Sequence, residues 1–308
     1  MSLLGRALAR VLPAVLPAVP RPLVAHVAAR YIAGEQLADA IGLVGRLAAV
    51  GKRATLDVLG EAARTREEVA ATVAEYRAAL AALHAGDLPA GISVKPTAVG
   101  LAFDAGLCRA GFEELAREAA ACGRFLRIDM EASPTIDATL GLYRDLRAAG
   151  HDNVGIVLQA RLRRTLDDLH ALAELKPDVR LCKGIYVEPV AVAFQDHAAV
   201  RAAYVRALEV LLAAGSRLAL ATHDEWLLGE SLRSVREAGV DPDGYEVQML
   251  LGVREERASQ LVADGQRVRV YVPYGVRWYE YSLRRLQESP ALAAQVAAAA
   301  VGRTLRPR

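Results

Sequence analysis

The sequence predicts an α/β fold, a distorted (β/α)8 barrel of the TIM type with helices added at both ends. Short apolar, β-branched runs alternate eight times with amphipathic helix patterns, which favours a parallel sheet. The alternating part spans residues 54–288, close to the ~250 residues usual for such a barrel. A doubly wound open sheet competes with this prediction. It would need a G-x-G-x-x-G turn after the first strand, and DVLGEAARTR is not one.

The order of the elements follows from hydrophobic periodicity and from helix-ending residues. Helices are expected over 22–32 and 35–49, the second ending at Gly51. The strand patterns cover 54–61, 91–97, 125–131, 153–160, 179–186, 217–224, 245–252 and 267–275. The helix patterns between and after them cover 64–85, 107–122, 135–149, 161–174, 196–214, 226–238, 254–264 and 277–288, with a last helix at 290–301. We therefore divide the chain into an N-terminal helical region (1–52), the barrel (53–290), and a C-terminal helix and tail (291–308).

Composition excludes several classes of protein. With 53% hydrophobic and 24% charged residues, the 308-residue chain is not intrinsically disordered. A net charge of +2 and the lack of a long basic run give no reason to expect a nucleic-acid partner. Cys108, Cys122 and Cys182 have no metal spacing, and the six histidines are scattered, so we expect a reduced, cytosolic chain without a metal.

The N-terminal segment is apolar but interrupted. Two arginines and two prolines break residues 3–19, so no membrane-spanning helix is expected there. A short interfacial helix over residues 2–12 and a loosely ordered tail both remain open.

The ends of the predicted strands are polar, and in (β/α)8 barrels the chemistry collects at the carboxyl ends of the strands. In strand order these polar residues are Asp57 and Glu61, Lys95, Asp129 and Glu131, Gln159, Arg180 and Lys183, Thr222 and His223, Glu246 and Gln248, and Tyr271. Any one of them is explained by a strand leaving the core. All eight ends together indicate a functional site.

The last barrel helix carries a second polar cluster. Its four residues share one helix face at i, i+3, i+4 and i+7: Tyr281, Arg284, Arg285 and Glu288. Such a face is either solvated or an anion clamp, because paired guanidinium groups bind a carboxylate in a fork. A Schiff-base lyase that uses Lys95 or Lys183 is chemically open, whereas the chain has no G-x-S-x-G elbow of a serine hydrolase. These residues alone indicate a barrel enzyme with a basic pocket.

Nine segments together carry a family resemblance over residues 35–290: DVLGE, SVKPT, RIDME, VLQA, RLCKGIY, ATHD, YEVQMLLG, VYVPYG and YSLRRLQE. With them the chain resembles the proline dehydrogenase family, specifically its short monofunctional bacterial members. The resemblance implies a barrel that holds FAD non-covalently and oxidises L-proline to Δ1-pyrroline-5-carboxylate by hydride transfer to the flavin. It implies that the electrons pass to a membrane quinone. It also implies a cytoplasmic enzyme, peripheral on the inner face of the membrane, with pyrroline-5-carboxylate dehydrogenase on a separate chain.

The resemblance implies roles for particular residues. Lys95, Arg284 and Arg285 are implied to bind the proline carboxylate. Asp129 is implied to pair with Lys95, and Glu288 to orient the two arginines. The implied walls around the proline ring are Leu250, Tyr271 and Tyr281. A gate is implied between Glu61 and Arg284. The implied FAD contacts are Arg180 beside the N5 edge, Gln159 at the ring, Lys183 and Gly184 near the pyrophosphate, and Met130, Cys182, Ile185, Tyr186, His197, Thr222, His223, Glu246 and Gln248.

Three positions depart from the family pattern. Pro96 follows Lys95 and lacks an N–H, so the second strand is expected to bulge or end there. Cys182 stands where valine is common, and His197 stands where relatives often have a phosphate-contacting lysine. Two competing hypotheses remain: a Schiff-base lyase on the same fold, and a barrel that has lost catalysis and serves as a scaffold. The scaffold would show a broken clamp or a broken RLCKGIY segment, and neither is broken here.

Overall fold

The barrel is closed. The structure is a computed structural model, and it describes residues 29–279 and 281–283. Eight parallel strands pair in sequence order, and the first also pairs with the last, which confirms the predicted (β/α)8 fold. The strands are β1 (Arg53–Val58), β2 (Ala90–Val94), β3 (Leu126–Ile128), β4 (Val154–Gln159), β5 (Asp178–Cys182), β6 (Arg217–Ala221), β7 (Tyr245–Leu250) and β8 (Val268–Tyr274).

One helix precedes the barrel and seven connect its strands. They are α1 (Leu37–Ala49), α2 (Arg66–Ala85), α3 (Ala105–Ala121), α4 (Ile136–Ala148), α5 (Thr165–Leu172), α6 (His197–Ala213), α7 (Glu225–Glu237) and α8 (Glu255–Ala263). After β8, residues 278–279 and 281–283 are helical, as the sequence predicts. The expected helix over 22–32 differs at its described end, because residues 29–31 form a turn. The expected helix 290–301, the rest of 277–288 and the segment 2–12 lie outside the described residues.

The outer face of the sheet is apolar and packs against the helices. Leu56, Ile92, Ile128, Ile156 and Leu181 are all essentially buried on this side. Four connecting helices begin at a side chain that accepts a backbone N–H of the first turn, and these capping residues are Thr65, Asp104, Asp196 and Asp224. Each such cap replaces a hydrogen bond that a helix start otherwise lacks, so the helix boundaries follow from local sequence.

The inner face of the sheet is polar, although the sequence predicts the strands from short apolar runs. Arg180 of β5 contacts Ser93 of β2 and Gln248 of β7 across the lumen. Deeper in the barrel, Arg127 of β3 pairs with Asp178 of β5 at 2.5 Å. Bulky branched residues usually fill such a lumen. Here a network of ion pairs and hydrogen bonds fills it, so buried strands do not imply an apolar interior.

Pro96 ends the second strand early. β2 stops at Val94, and a short 3-10 helix begins at Pro96 and runs to Val99. Because proline has no N–H to donate to the sheet, the chain leaves the barrel wall at this point. Lys95 therefore lies at the carboxyl mouth of the barrel, between the strand and the turn.

Candidate active site

The carboxylate of Asp129 connects several elements at the mouth of the barrel. Asp129 directly follows β3 and is 8% exposed. Its Oδ1 accepts hydrogen bonds from Ser93 Oγ and from Arg180 Nη1, both at 2.7 Å. Its Oδ2 accepts a hydrogen bond of 2.8 Å from the hydroxyl of Tyr271. Both oxygens are thus satisfied by groups from three other strands, which fixes these groups relative to one another.

Lys95 has two carboxylate partners. Its Nζ lies 2.5 Å from Asp57 Oδ1, 4.0 Å from Asp129 Oδ2 and 3.4 Å from the Tyr271 hydroxyl. The resemblance assigns the pairing to Asp129, and the structure adds Asp57 as the nearer partner. Asp57 is completely buried, and sequence analysis noted it at a strand end without assigning it a role.

The charge of Lys95 follows from these contacts. Burial alone would lower the pKa of Lys95, but Asp57 and Asp129 outweigh burial and raise it. The pKa of Asp129 is lowered: burial opposes the shift, while Arg180 and Lys95 cause it. Lys95 is therefore a fixed ammonium cation at neutral pH. A Schiff-base lysine needs a neutral amine, so this environment argues against the lyase hypothesis for Lys95.

Arg180 is a second fixed cation beside Lys95. It is 7% exposed, and its Nε donates a hydrogen bond of 2.5 Å to Gln248 Oε1. Its guanidinium carbon lies 5.3 Å from the centre of the Tyr271 ring, within the range of a cation–π contact. With Asp129 on its other side, the guanidinium has one well-defined position in the lumen.

A separate basic cluster surrounds Asp224 at the start of α7. Arg201 forms two hydrogen bonds with this carboxylate, of 2.6 and 2.9 Å, and Lys183 lies 3.3 Å from it. His197 Nε2 lies 3.5 Å from the same carboxylate. Burial opposes the shift in the pKa of Asp224, but the bonds from Arg201 and Lys183 lower it to about 2. Two permanent cations share one carboxylate, so the cluster has positive charge left for an anionic ligand.

Sequence analysis missed Asp224, Arg201 and Trp226 as site residues. The Arg201 guanidinium carbon lies 5.2 Å from the centre of the exposed Trp226 ring. Asp224 had a detectable signal, because it is an N-capping residue directly after His223. Arg201 and Trp226 lie on helix surfaces, where the sequence alone gives no reason to separate them from other exposed side chains.

Gln159 and Gly184 lie next to each other at the mouth of the barrel. The Gln159 Nε2 donates to the backbone carbonyl oxygens of Glu131 and Met130, at 2.9 and 3.3 Å. Its Oε1 is buried and has no hydrogen-bond partner among the described residues. Gly184 has φ +94°, and a Cβ there would lie 3.0 Å from that Oε1 and 2.9 Å from Arg161. Only glycine fits this backbone conformation and spacing. The Gln159 Oε1 beside it is an acceptor without a hydrogen bond among the described residues.

Other predicted site residues also lie near the mouth. The Leu250 N–H donates to His223 Nε2 at 3.1 Å, and the Thr222 hydroxyl accepts from the Asp224 N–H. Tyr281 packs in a small apolar cluster with Ile32 and Leu59. Burial raises the pKa of the Cys182 thiol to about 11, so it is not a thiolate nucleophile. Ile185 is exposed and Tyr186 is half-buried in the segment after β5.

One residue predicted to contact the cofactor does not lie at the mouth, and three residues predicted to form the carboxylate site lie outside the described part of the chain. Glu246 is the second residue of β7, so it lies near the amino end of the strand, where it pairs with Arg269 at 2.6 and 3.0 Å. We therefore do not include Glu246 in the cofactor site below. Arg284, Arg285 and Glu288 lie outside the described residues. Of the two residues of the predicted gate, only Glu61 lies in the described part of the chain, where it is exposed.

Residues 29–279 and 281–283 contain no group of three or more His, Cys, Asp or Glu side chains that could hold a metal ion. No helix in this part of the chain is long and apolar enough to cross a membrane.

Comparison with known proteins gives one family. The sequence model described as proline dehydrogenase matches residues 40–298. The proline dehydrogenase of Deinococcus radiodurans is 37% identical over 277 residues, covering 88% of this chain and 89% of that protein. Proline dehydrogenase 1 of Bacillus subtilis strain 168 is 35% identical over 269 residues, covering 87% and 89%.

A solved structure supports the fold. The crystal structure of proline utilization A (PutA) from Bdellovibrio bacteriovorus, inactivated by N-propargylglycine, matches with a TM-score of 0.81 at 23% identity. The match covers 86% of this chain and 33% of that one, so this chain spans a third of the solved chain. At this identity the likeness concerns the barrel alone.

The Glu246–Arg269 pair gives a pH-dependent prediction. Burial would raise the pKa of Glu246, but Arg269 lowers it to about 2. At pH 7, Arg269→Gln should lower the free energy of unfolding by about 3–5 kcal/mol, because a buried carboxylate loses its cation. In the wild type the contribution of Glu246 is complete above its unfolded pKa of about 4.3 and is lost as the pH falls toward its folded pKa. In the variant, burial raises the folded pKa, so protonation relieves the penalty.

Urea unfolding of both proteins between pH 7 and pH 3 should therefore show a stability difference that narrows as the pH falls. Arg267→Gln is the matched control, because the Asp243 partner of Arg267 is exposed, and it should change stability by about 1 kcal/mol or less. A difference between wild type and Arg269→Gln that stays constant with pH would contradict this assignment.

Proposed function

This chain belongs to the proline dehydrogenase family and is an enzyme that oxidises proline; from this we propose the cofactor, the product and the residues that act. FAD binds non-covalently and accepts a hydride from L-proline. The product is Δ1-pyrroline-5-carboxylate, and the electrons pass on to a membrane quinone. This is the first step of proline catabolism to glutamate, and pyrroline-5-carboxylate dehydrogenase on a separate chain takes the product.

The observation that carries the proposal is the fixed ammonium group of Lys95 at the barrel mouth. A proline carboxylate needs a cation held in place, and Asp57 and Asp129 keep Lys95 charged and oriented toward the mouth. The Lys95 side chain is 21% exposed, whereas that of Asp57 is 0% exposed. A ligand can therefore reach the ammonium, while the acid that positions it stays buried.

The walls of the proposed proline pocket come from Tyr271, Leu250 and Tyr281. The Tyr271 hydroxyl is bound to Asp129, which holds the ring beside Lys95 and Arg180. A ring fixed in this way leaves little room for a substituent on the pyrrolidine, which favours proline over 4-hydroxyproline. Arg284 and Arg285 complete the carboxylate site in this proposal, Glu288 orients them, and Glu61 with Arg284 forms the gate.

The residues on the other side of the mouth fit FAD. The buried, unused Oε1 of Gln159 offers an acceptor to a ligand N–H, and Gly184 keeps the adjacent backbone accessible. The basic groups around Asp224, which include Lys183 and His197, suit a pyrophosphate. When bound, FAD supplies the hydride acceptor. Arg180 adds a fixed positive charge in the place that the resemblance gives to the N5 edge of the ring.

The remaining proposed FAD contacts rest on the resemblance and on their position around the mouth. They are Met130, Cys182, Ile185, Tyr186, Thr222, His223 and Gln248. His197 replaces a lysine of many relatives, yet it still lies in the Asp224 cluster. An imidazole there adds a full positive charge only when it is protonated.

The proposals about location rest on the resemblance as well. It implies a cytoplasmic enzyme that reaches quinone from the inner face of the membrane. The segment 3–19, which would contact the membrane, lies outside the described residues.

The cofactor proposal predicts a spectral change. The purified protein, as isolated or after incubation with FAD, should show flavin absorbance in the visible range. L-proline added without oxygen should bleach it, because the bound flavin takes up the hydride. Glycine at the same concentration is the control, since it offers a carboxylate without the ring. A protein that remains colourless after incubation with FAD would refute the cofactor assignment.

The substrate proposal predicts a specific effect of Asp57→Asn. The amide keeps the size of the side chain but removes the charge that positions Lys95, so the KM for proline should rise by about tenfold, as for the loss of one charge-assisted contact. FAD content should stay normal. The matched control is Asp168→Asn, which removes a buried acid from its pair with the partly exposed Arg164 on the outside of the barrel. If both variants raise KM equally, the effect is one of stability and the role of Asp57 is wrong.

A further inference from the structure

A cavity opens at the amino-terminal end of the barrel, opposite the proposed active site. Its volume is about 580 Å³. The first residues of several strands line it, among them Arg53, Ala90, Asp178 and Arg217. Its inner end reaches Arg180 and Gln248, so the cavity and the active site lie on opposite sides of the same layer of side chains. Nothing in the proposed oxidation of proline uses this end of the barrel.

The cavity has a large excess of positive charge. Eight lining residues are arginine or lysine and three are acidic. Each of the three acids already has an arginine within 3.5 Å: Asp152 has Arg147, Asp178 has Arg127, and Glu246 has Arg269. Two further lining cations are paired with acids outside the cavity, Arg124 with Asp87 and Arg180 with Asp129. Arg53, Lys176 and Arg217 are left without an acid of their own among the described residues, since Arg217 shares Asp178 with Arg127.

Arg53 shows this excess most clearly. Among the described residues its guanidinium has no hydrogen-bond or ion-pair partner. Burial, followed by the neighbouring Arg267 and Arg269, lowers the pKa of Arg53, while Glu246 opposes the shift.

The residues outside the described part of the chain include few acidic side chains that could pair with these cations. Residues 1–28 contain no aspartate or glutamate, and among residues 284–308 only Glu288 is acidic. Glu280 is the one further acid outside the described residues. An external anion is therefore the main candidate partner for the three remaining cations.

We propose that this amino-terminal cavity binds a small multivalent oxyanion, of the kind presented by a phosphorylated or polycarboxylate metabolite. Guanidinium groups bind such oxygens in pairs with good geometry. An anion in the cavity supplies acceptors for the Arg53 guanidinium and reduces its repulsion from the neighbouring arginines. The site is distinct from the proposed flavin and proline sites, which lie at the other mouth, and Arg180 and Gln248 form the layer between them.

Isothermal titration calorimetry on the FAD-saturated protein tests the proposal. Inorganic pyrophosphate and citrate are the probes, and sodium chloride at equal ionic strength is the reference. Tighter binding of pyrophosphate identifies a phosphate site, and tighter binding of citrate identifies a polycarboxylate site. Binding of both probes no better than chloride overturns the proposal.

Variants locate the bound anion. Arg53→Gln and Arg217→Gln should each raise the Kd of the tighter-binding probe by about tenfold or more, as for the loss of one charge-assisted hydrogen bond. Arg201→Gln, in the basic cluster at the opposite mouth, is the matched control and should leave affinity unchanged. Weakening by Arg201→Gln alone would place the anion in the cofactor site and overturn the proposal.

Thermal unfolding gives a second readout that does not depend on calorimetry. Without added anion, Arg53→Gln should unfold at a higher temperature than wild type, because the substitution removes a half-buried charge that lies among other cations. With pyrophosphate, the wild type should be stabilised and the variant much less so. An Arg53→Gln variant that unfolds below wild type without anion and gains as much from pyrophosphate would also overturn the proposal.

Discussion

The carboxylate of Asp129 holds together four parts of the barrel, and the positions of both active-site cations depend on it. It accepts hydrogen bonds from Ser93, Arg180 and Tyr271 and lies 4.0 Å from the Lys95 ammonium. Taken singly, each of these groups would be costly to bury in a barrel interior. Joined through one carboxylate, they neutralise one another and stay in place. The site is thus organised before substrate arrives, which is what electrostatic binding and catalysis require.

The same network explains why the lumen is polar from one end to the other. Arg180 connects Asp129 to Gln248, Gln248 Nε2 donates to Glu246, and Glu246 pairs with Arg269 near the amino end. Removing any one member leaves a neighbour buried without its partner, a larger cost than the net value of the pair. Stability comes instead from the apolar layer between sheet and helices. The outer, apolar layer thus stabilises the fold, and the inner, polar layer positions the charged side chains.

The fold could be predicted from sequence because its signals are local. Hydrophobic runs and helix caps give the order of strands and helices, and Pro96 gives the end of β2. The pairing across the lumen could not be predicted in this way. Asp129 and Tyr271 are 142 positions apart, and Arg180 and Gln248 are 68 apart, so their contact depends on barrel closure and register. The sequence therefore places Asp57 at a strand end without showing that it is the nearer partner of Lys95. The resemblance implies that Glu246 contacts the cofactor, whereas its position as the second residue of β7 puts it toward the amino end of the barrel.

The charge of Lys95 tests this account most directly. The chain has four lysines, Lys52, Lys95, Lys176 and Lys183, so NMR of protein with 13C-labelled lysine side chains can follow each one, and Lys95→Met assigns the Lys95 signal. We predict that Lys95 keeps its proton to a pH well above its ordinary pKa of about 10.4, and that Asp57→Asn lowers this pKa. A Lys95 that titrates below its ordinary value would show that burial outweighs the two carboxylates, and would contradict a network that holds a cation ready for the substrate.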